Sequence, residues 1–227
     1  MLKDFLALIY PNLCFGCQKN LQHSENGICT YCEYELPKTN FHLDEDNPVA
    51  KVFWGRVPIE NGTAFYYFNK ESKIQKLLHQ LKYRGEKQIG ELLGKIAGFE
   101  LKSSAFYNEI DYMMPIPLHP LKQKRRGYNQ SEQIAIGLSE ALNIQVNIQN
   151  IFRKEINDTQ TKKTRYARWE NIQASFEIKN INMLKNKHIL LVDDVITTGS
   201  TLEACAQKLH NEVEGIRISV FALAYTK

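Results

Sequence analysis

Residues 188–205, HILLVDDVITTGSTLEAC, constrain the fold of this chain more than any other stretch. Ile189–Val192 is a short, unbroken apolar run, which is typical of a strand buried on both faces of a parallel sheet. The run stops at two adjacent acids, Asp193 and Asp194. A loop rich in hydroxyl residues follows, and apolar residues then recur at helical spacing. The segment therefore predicts a strand, a tight loop and a helix.

The loop between this strand and helix has the composition of an anion site. Its residues are Thr197, Thr198, Gly199, Ser200 and Thr201. Ser200 and Glu203 fit a capping box, so we expect the helix to start at Ser200. Backbone N–H groups and the helix dipole attract phosphate there, the hydroxyls add donors, and the glycine permits close approach. An ordinary capped corner does not explain the two acids, which suit ribose hydroxyls or a divalent cation.

Length and composition bound the architecture. The chain has 227 residues, 43% of them hydrophobic, and a formal net charge of +4. This allows one α/β domain plus a small module, and the charge is too mild to indicate nucleic acid by itself. No apolar stretch reaches the roughly 18–20 residues that span a bilayer, so we expect no membrane insertion. Residues 1–10 are apolar but short and contain Asp4, which favours a first packing helix over a secretory signal. We expect a cytoplasmic protein.

Four of the five cysteines form two CxxC pairs. These are Cys14, Cys17, Cys29 and Cys32. Two such pairs favour a tetrahedral zinc site, which would be structural because four thiolates leave no open position. Two disulfides or a thioredoxin-like redox centre are the alternatives, but the first needs an oxidising compartment and the second a single pair at a strand–helix junction. We therefore predict a zinc module over residues 1–40 and a second domain over 41–227. The fifth cysteine, Cys205, is expected in the core.

The remaining pattern alternates strands and helices. Strands are predicted over Gly62–Phe68, Asp111–Pro117, Ile144–Ile151 and Ile216–Tyr225, in addition to Ile189–Val192. Helical stripes separate them, which favours a mostly parallel, doubly wound sheet. The polar stretch Thr39–Pro48 is interpreted as a solvated linker, with mixed metal ligands as the less favoured alternative.

Three basic segments are expected to gather at the carboxyl ends of the strands. They are the corner with Lys82 and Arg84, the turn Lys122–Arg126, and a polar loop over 153–171. Arginine binds phosphate through its bidentate fork and lysine acts as a point charge. Any single lysine could equally belong to a solvated face, but the group coincides with an anion motif.

The segment 188–205 resembles the 5-phosphoribosyl-1-pyrophosphate (PRPP) motif of type I phosphoribosyltransferases. Together with MPIPLHPLKQKRRGYNQSEQIA, LLHQLKYRGEK, the 153–171 loop and the CxxC pairs, it makes the chain similar to the ComF family. The resemblance implies a type I phosphoribosyltransferase-like fold with an N-terminal zinc module. It also implies a role in DNA uptake during natural transformation.

The same resemblance implies roles for individual residues. Asp193 and Asp194 would face the ribose hydroxyls as the catalytic acids, and Thr197–Thr201 would wrap the 5-phosphate. PRPP would bind with Mg²⁺. The cations expected to hold pyrophosphate or DNA phosphate are Lys82, Arg84, Lys122, Arg125 and Arg126.

Two functional hypotheses from different classes remain open. The first is a phosphoribosyltransferase with an unidentified acceptor, because no base-recognising signature stands out. The second is a module that binds single-stranded DNA, or docks a DNA-uptake helicase or another competence protein, without transfer activity. Aromatic residues among cations (Tyr128, Tyr166 and Trp169) favour the second, although core packing explains such residues as well.

Overall fold

The computed structural model describes residues 11–154 and 176–226. Seven strands lie in these ranges: β1 (Gly62–Tyr67), β2 (Tyr112–Pro115), β3 (Gln145–Val146), β4 (Ile151–Arg153), β5 (Phe176–Ile178), β6 (His188–Ile196) and β7 (Arg217–Tyr225). Five of them form one sheet in the order β1-β7-β6-β2-β3, and every neighbouring pair is parallel. The other two, β4 and β5, pair with each other in antiparallel fashion. The expected mostly parallel sheet is confirmed.

Helices cover both faces of the sheet. The described α-helices are α1 (Thr30–Tyr34), α2 (Pro48–Phe53), α3 (Lys73–Tyr83), α4 (Gln88–Leu101), α5 (Pro120–Arg126), α6 (Gln130–Leu142) and α7 (Ser200–Glu212). Buried side chains of α3, α4 and α6 form one hydrophobic core with one face of the sheet. Those of α2, α7 and the β4–β5 hairpin form a second core with the other face. The sheet is therefore doubly wound.

The cysteine segment is not packed as a separate body. Cys14, Ile28, Cys32 and Leu36 belong to the same core as the side chains of α3 and α4. The amide of Tyr67 also bonds to the carbonyl of Pro37, which ties the segment to β1. The module therefore contributes to the stability of the whole chain.

The predicted solvated linker over Thr39–Pro48 is wrong in part, because residues 43–46 are exposed but three side chains of the segment are buried. Phe41 is buried and meets the ring of Tyr67 edge-on, with centroids 5.5 Å apart. Asn47 is buried too, and its amide donates to the carbonyl of Gly62 at 2.7 Å while its oxygen caps α2. A polar side chain in this segment forms hydrogen bonds with buried backbone groups. A prediction from composition alone assigns such polar residues to the solvent-exposed surface.

Strand boundaries differ from the predicted ones at two places. β6 continues past the acids to Ile196, because backbone pairing with β7 extends to Tyr225 and does not depend on side-chain polarity. The predicted strand over Ile144–Ile151 is divided between β3, in the sheet, and β4, in the hairpin, because residues 147–150 leave the ladder. Cys205 lies in the core as predicted.

Two local features near the helices also differ. The helix α7 starts at Ser200 as expected, but its N-cap is Gly199 and no side chain caps it. Glu203, the presumed partner in the capping box, instead pairs with Arg56. The basic turn around Lys122 is a helix, α5, which has proline at its first position and ends at Gly127 in the left-handed conformation.

The described ranges contain no helix that is long and apolar enough to cross a bilayer. The predicted first helix over residues 1–10 lies outside them, as does the predicted loop from residue 155 onward.

Candidate functional site

A crevice lies where the winding of the sheet reverses. From β2 the chain moves outward to β3, whereas from β6 it moves the other way to β7, and β2 and β6 are neighbours. The connections that follow these two strands therefore diverge at their carboxyl ends. Open α/β sheets bind ligands at such a switch point. Asp193, Asp194 and the Thr197–Thr201 loop all lie there, at the end of β6.

The two acids have different partners. Asp194 forms an ion pair with Lys82 of α3, with 2.7 Å between Nζ and Oδ2. Asp193 accepts a hydrogen bond from the Ser131 hydroxyl of α6 at 3.0 Å and another from the Asp194 amide at 2.9 Å. Successive residues of a strand point to opposite faces, so the pleat separates the two carboxylates.

The electrostatics of Asp193 are unusual for a carboxyl group. Burial, and then the adjacent charge of Asp194, raise its pKa from 3.8 to about 7, although Ser131 and Lys82 oppose the shift. On the other side lie Arg153 and Cys205, whose own pKa values respond to the charge of Asp193. Asp193 is therefore partly protonated near neutral pH.

The Thr197–Thr201 loop is held from behind by α2. Gly199 has φ of +70°, and a Cβ there would lie 2.6 Å from Val52 Cγ1, so only glycine fits. Arg56 donates to the Thr198 carbonyl at 3.0 Å. The Thr198 and Ser200 hydroxyls are 2.9 Å apart. Because no side chain caps α7, the first amides of the helix and these hydroxyls are available to an anion.

The predicted cations fall into three groups. Lys82 pairs with Asp194, and the Arg126 guanidinium lies 5.3 Å from the centre of the ring of Tyr83, the residue after Lys82. Lys122 and Arg125 are exposed on α5. Arg84 instead lines a groove between the cysteine segment and α4. Of the predicted phosphate ligands, the structure thus brings Lys82 into contact with Asp194.

The four predicted cysteines meet in one cluster. The Sγ atoms of Cys14, Cys17, Cys29 and Cys32 all lie within 4.8 Å of one another, and those of Cys17 and Cys29 are 3.8 Å apart. A tetrahedral ion with Zn–S bonds of about 2.3 Å requires S···S distances of about 3.8 Å. None of the five described cysteines is in a disulfide.

Backbone amides further adapt this cluster to a cation. Gly16 and Cys29 donate N–H bonds to Cys14 Sγ at 3.3 and 3.2 Å. Burial alone would raise the pKa of Cys14, but these amide bonds outweigh it and lower the pKa to about 7, whereas burial raises the pKa of Cys32 to about 12. The convergence of the four Sγ atoms is what allows the cluster to hold a metal ion.

Sequence reasoning did not single out Ser131 or Arg56, and it took Arg153 only as the start of a loop. Ser131 is the second residue of α6, two positions after its N-cap residue Asn129. Its position just after the predicted basic turn could have indicated that it lies near the phosphate site. Arg56 contacts residues 142 and 147 positions away, which no local pattern reveals.

Comparison with known proteins identifies the domain. The family model described as phosphoribosyl transferase domain matches residues 95–225. The chain is 27% identical over 218 residues to "DNA utilization protein YhgH" of Escherichia coli (strain K12), covering 89% of this chain and 92% of that protein. It is 26% identical over 222 residues to "Competence protein F" of Haemophilus influenzae, with 93% and 96% covered. It is 25% identical over 229 residues to "Competence protein ComFC" of Bacillus subtilis (strain 168), with 96% and 87% covered.

Two solved structures are similar to part of the chain. One is the allosteric regulatory enzyme of purine biosynthesis, with 16% identity, a TM-score of 0.39 and coverage of 58% of this chain and 26% of that chain. The other is a hypoxanthine phosphoribosyltransferase from Staphylococcus aureus, with 13% identity, a TM-score of 0.35 and coverage of 61% and 73%.

Proposed function

Because this chain belongs to the phosphoribosyl transferase domain family, and within it to the ComF family, we propose that it binds PRPP with Mg²⁺ and acts in DNA uptake. The observation that carries the proposal is the juxtaposition of two acids with an uncapped helix N-terminus at the switch point of the sheet. The 5-phosphate would bind the Thr197–Thr201 loop. The ribose hydroxyls would donate to Asp193 and Asp194.

Charge distribution supports the same ligand. PRPP carries a pyrophosphate, and Mg²⁺ bound with it would lower the repulsion between that group and the acids. Lys82 pairs with Asp194, and the Arg126 guanidinium lies over the ring of the neighbouring Tyr83. Lys122 and Arg125, exposed on α5, would serve as further pyrophosphate ligands. As predicted from its sequence, the polar segment 153–171, most of which lies outside the described residues, would exclude water from the site.

Phosphoribosyl transfer is the reaction that this arrangement suits. The C1–O bond to pyrophosphate breaks, and its electron pair leaves with the pyrophosphate. The acceptor's lone pair forms the new bond to C1. Positive charge develops on the ribose ring, where the carboxylates of Asp193 and Asp194 stabilise it.

Calorimetric titration tests the binding site. PRPP with Mg²⁺ is titrated into the wild type, into the Asp193→Asn/Asp194→Asn variant, and into Asp111→Asn as a matched control away from the crevice. We expect saturable heat with the wild type and the control, and at least a 100-fold loss of affinity in the double variant. An absence of PRPP binding by the folded wild type would contradict the proposal.

We also propose that the cysteine cluster holds Zn²⁺ with a structural role. Four convergent thiols with amide N–H···S bonds support zinc, and a cytoplasmic location stays a prediction. Elemental analysis of protein purified without added metal should give one zinc per chain. A metal-free, fully folded protein would exclude this role.

Single-stranded DNA binding is a second candidate function, favoured by one feature. Tyr83 is 59% exposed and carries the Arg126 guanidinium over its ring, with Lys82 and Arg84 on either side in sequence. Exposed aromatics among cations form stacking platforms for single strands. A DNA-uptake helicase or another competence protein stays a predicted partner.

Fluorescence anisotropy with a labelled 20-nucleotide strand tests this second function. Tyr83→Ala should weaken binding about 5-fold or more, since stacking contributes about 1–3 kcal/mol per base. Phe99→Ala, which removes another exposed aromatic beside a lysine, is the control. Equal affinity of both variants and wild type would exclude this surface.

A further inference from the structure

The turn that follows α2 places one arginine side chain against the Thr197–Thr201 loop. Gly55 has φ of +68°, and the amide of Arg56 bonds to the carbonyl of Phe53 at 3.0 Å. Because the chain folds back at this turn, the Arg56 side chain reaches the carbonyl of Val52 in the last turn of α2. The same side chain also reaches the loop, since it donates to a carbonyl there.

The guanidinium of Arg56 joins three parts of the structure. One nitrogen, Nη1, donates to the carbonyl of Val52 at 2.9 Å and to that of Thr198 at 3.0 Å. The other, Nη2, forms an ion pair with the carboxylate of Glu203 on α7. Since the guanidinium is planar, it fixes the directions of these bonds relative to one another. Arg56 therefore holds α2, the loop and α7 in one arrangement.

Glu203 would be an unfavourable neighbour for a phosphate without this ion pair. It is 7% exposed and lies in the first turn of α7, two positions after the loop. An unpaired buried carboxylate is costly, and an acid in the first turn interacts with the same positive helix end as a bound anion. The charge of Arg56 offsets that of Glu203, which leaves the positive end of α7 to the ligand.

Apolar contacts complete the support of the loop. A Cβ at Gly199 would lie 2.6 Å from Val52 Cγ1 and 3.3 Å from the Phe53 ring, so α2 packs directly against this residue. Thr198, the residue before it, is held by Arg56. A loop that is ordered before the ligand arrives loses less conformational entropy on binding. The arrangement therefore favours phosphate binding without a direct contact from Arg56.

We propose that Arg56 is a positioning residue for the 5-phosphate of PRPP, which orders the Thr197–Thr201 loop through the Thr198 carbonyl and neutralises Glu203. This inference rests on the proposed function. The matched phosphoribosyl transferase domain covers residues 95–225, so Arg56 comes from the part of the chain that the family model does not match. Removal of Arg56 should therefore affect recognition of the 5-phosphate and spare that of the pyrophosphate.

Nitrogen-15 relaxation of the ligand-free full chain measures the order of the loop. We expect backbone order parameters of about 0.85 for the loop amides in the wild type and below about 0.6 in Arg56→Gln. Amides of β6 should keep their values. Arg217→Gln is the matched control, because it removes a guanidinium that pairs with Glu109 at the start of β7, the opposite end of the strands.

Calorimetry separates the two ends of the ligand. Ribose 5-phosphate carries the 5-phosphate alone, whereas pyrophosphate with Mg²⁺ lacks it. Arg56→Gln should bind ribose 5-phosphate at least 10-fold more weakly than the wild type, and pyrophosphate with Mg²⁺ less than 3-fold more weakly. Arg56→Lys keeps the charge beside Glu203 but loses the planar fork, so it should lose less affinity than Arg56→Gln. The control Arg217→Gln should bind both ligands as the wild type does.

A second substitution tests the effect of charge. In Arg56→Gln/Glu203→Gln no unpaired carboxylate remains beside the loop, so the affinity for ribose 5-phosphate should recover at least 3-fold over Arg56→Gln. Glu203→Gln alone should bind ribose 5-phosphate at least as tightly as the wild type. A weaker affinity in this single variant would overturn the role assigned to the ion pair.

The remaining outcomes distinguish this inference from the proposed function. If the wild type binds neither ribose 5-phosphate nor PRPP, the proposed function fails and the inference fails with it. If the wild type binds both but Arg56→Gln binds ribose 5-phosphate equally well, the inference alone fails. If Arg56→Gln, folded by circular dichroism, weakens both test ligands to the same degree, the role of Arg56 is general stability. Arg56→Lys and Glu203→Gln keep the test decisive if Arg56→Gln does not fold.

Discussion

Asp193→Asn should make the ligand-free protein more stable at pH 8 while it abolishes PRPP binding. The folded protein raises the pKa of Asp193 from 3.8 to about 7, chiefly by burial and the charge of Asp194. Because the folded state then binds this proton more tightly than the unfolded chain, the free energy of unfolding falls as the pH rises from about 4 to about 7. The asparagine is nearly isosteric and keeps an oxygen that accepts from Ser131.

The magnitude follows from the size of the shift. Three pKa units correspond to an upper limit of about 4 kcal/mol. Solvent reaches part of the side chain, so we expect about half of this limit, roughly 2 kcal/mol, at pH 8 and about 0.5 kcal/mol at pH 4.5. For a chain of this length, 2 kcal/mol raises Tm by about 4–8 °C.

Urea unfolding at pH 4.5, 6.5 and 8 measures the difference between variant and wild type. Asp111→Asn is a control for which the change in stability has the opposite sign. Burial raises the pKa of Asp111, but the ion pair with Lys187 outweighs this effect and holds the pKa below its usual value. Its carboxylate stabilises the fold above about pH 4, so this control should lose stability at all three pH values. A stability gain for Asp193→Asn that does not grow with pH would refute the reasoning.

Three further predictions concern the ligand, the loop and the metal. PRPP binding at pH 7 should release about half a proton, because the bound ligand needs Asp193 ionised. Calorimetry in buffers of different ionisation enthalpy measures the number of protons released. The same release at pH 8.5 as at pH 7 would contradict the prediction. Gly199→Ala should weaken PRPP binding more than 10-fold and destabilise the fold by about 1–3 kcal/mol, because a Cβ at this position collides with Val52. Calorimetry measures the affinity, and urea unfolding measures the stability. Cys17→Ser should lower the Tm of the whole chain in a single calorimetric transition, since the cysteine segment shares its core with α3; two separate transitions would disprove this coupling.

The parts of the fold that local periodicity encodes could be predicted from the sequence. The strand before Asp193, the start of α7 at Ser200 and the four-cysteine cluster all follow from short-range patterns. The burial of Asn47 within residues 39–48 could not be predicted, because it depends on the bond from Asn47 to a carbonyl of β1. The contacts of Arg56 were equally inaccessible, since the residues they join are far apart in sequence.

The two adjacent acids differ in their surroundings. The sequence predicts an equivalent pair of hydrogen-bond acceptors for ribose, but the pleat of β6 places the two carboxylates in different environments. Asp194 is neutralised by Lys82 across 2.7 Å, whereas no cation of residues 11–154 or 176–226 lies at contact distance from Asp193, and its pKa rises instead. Below about pH 7 the ligand-free pair therefore stays close to neutral, because Asp193 keeps its proton while Lys82 offsets the charge of Asp194. In the proposed complex, the hydroxyl donors of the ribose and Mg²⁺ would favour the ionised form of Asp193 at neutral pH.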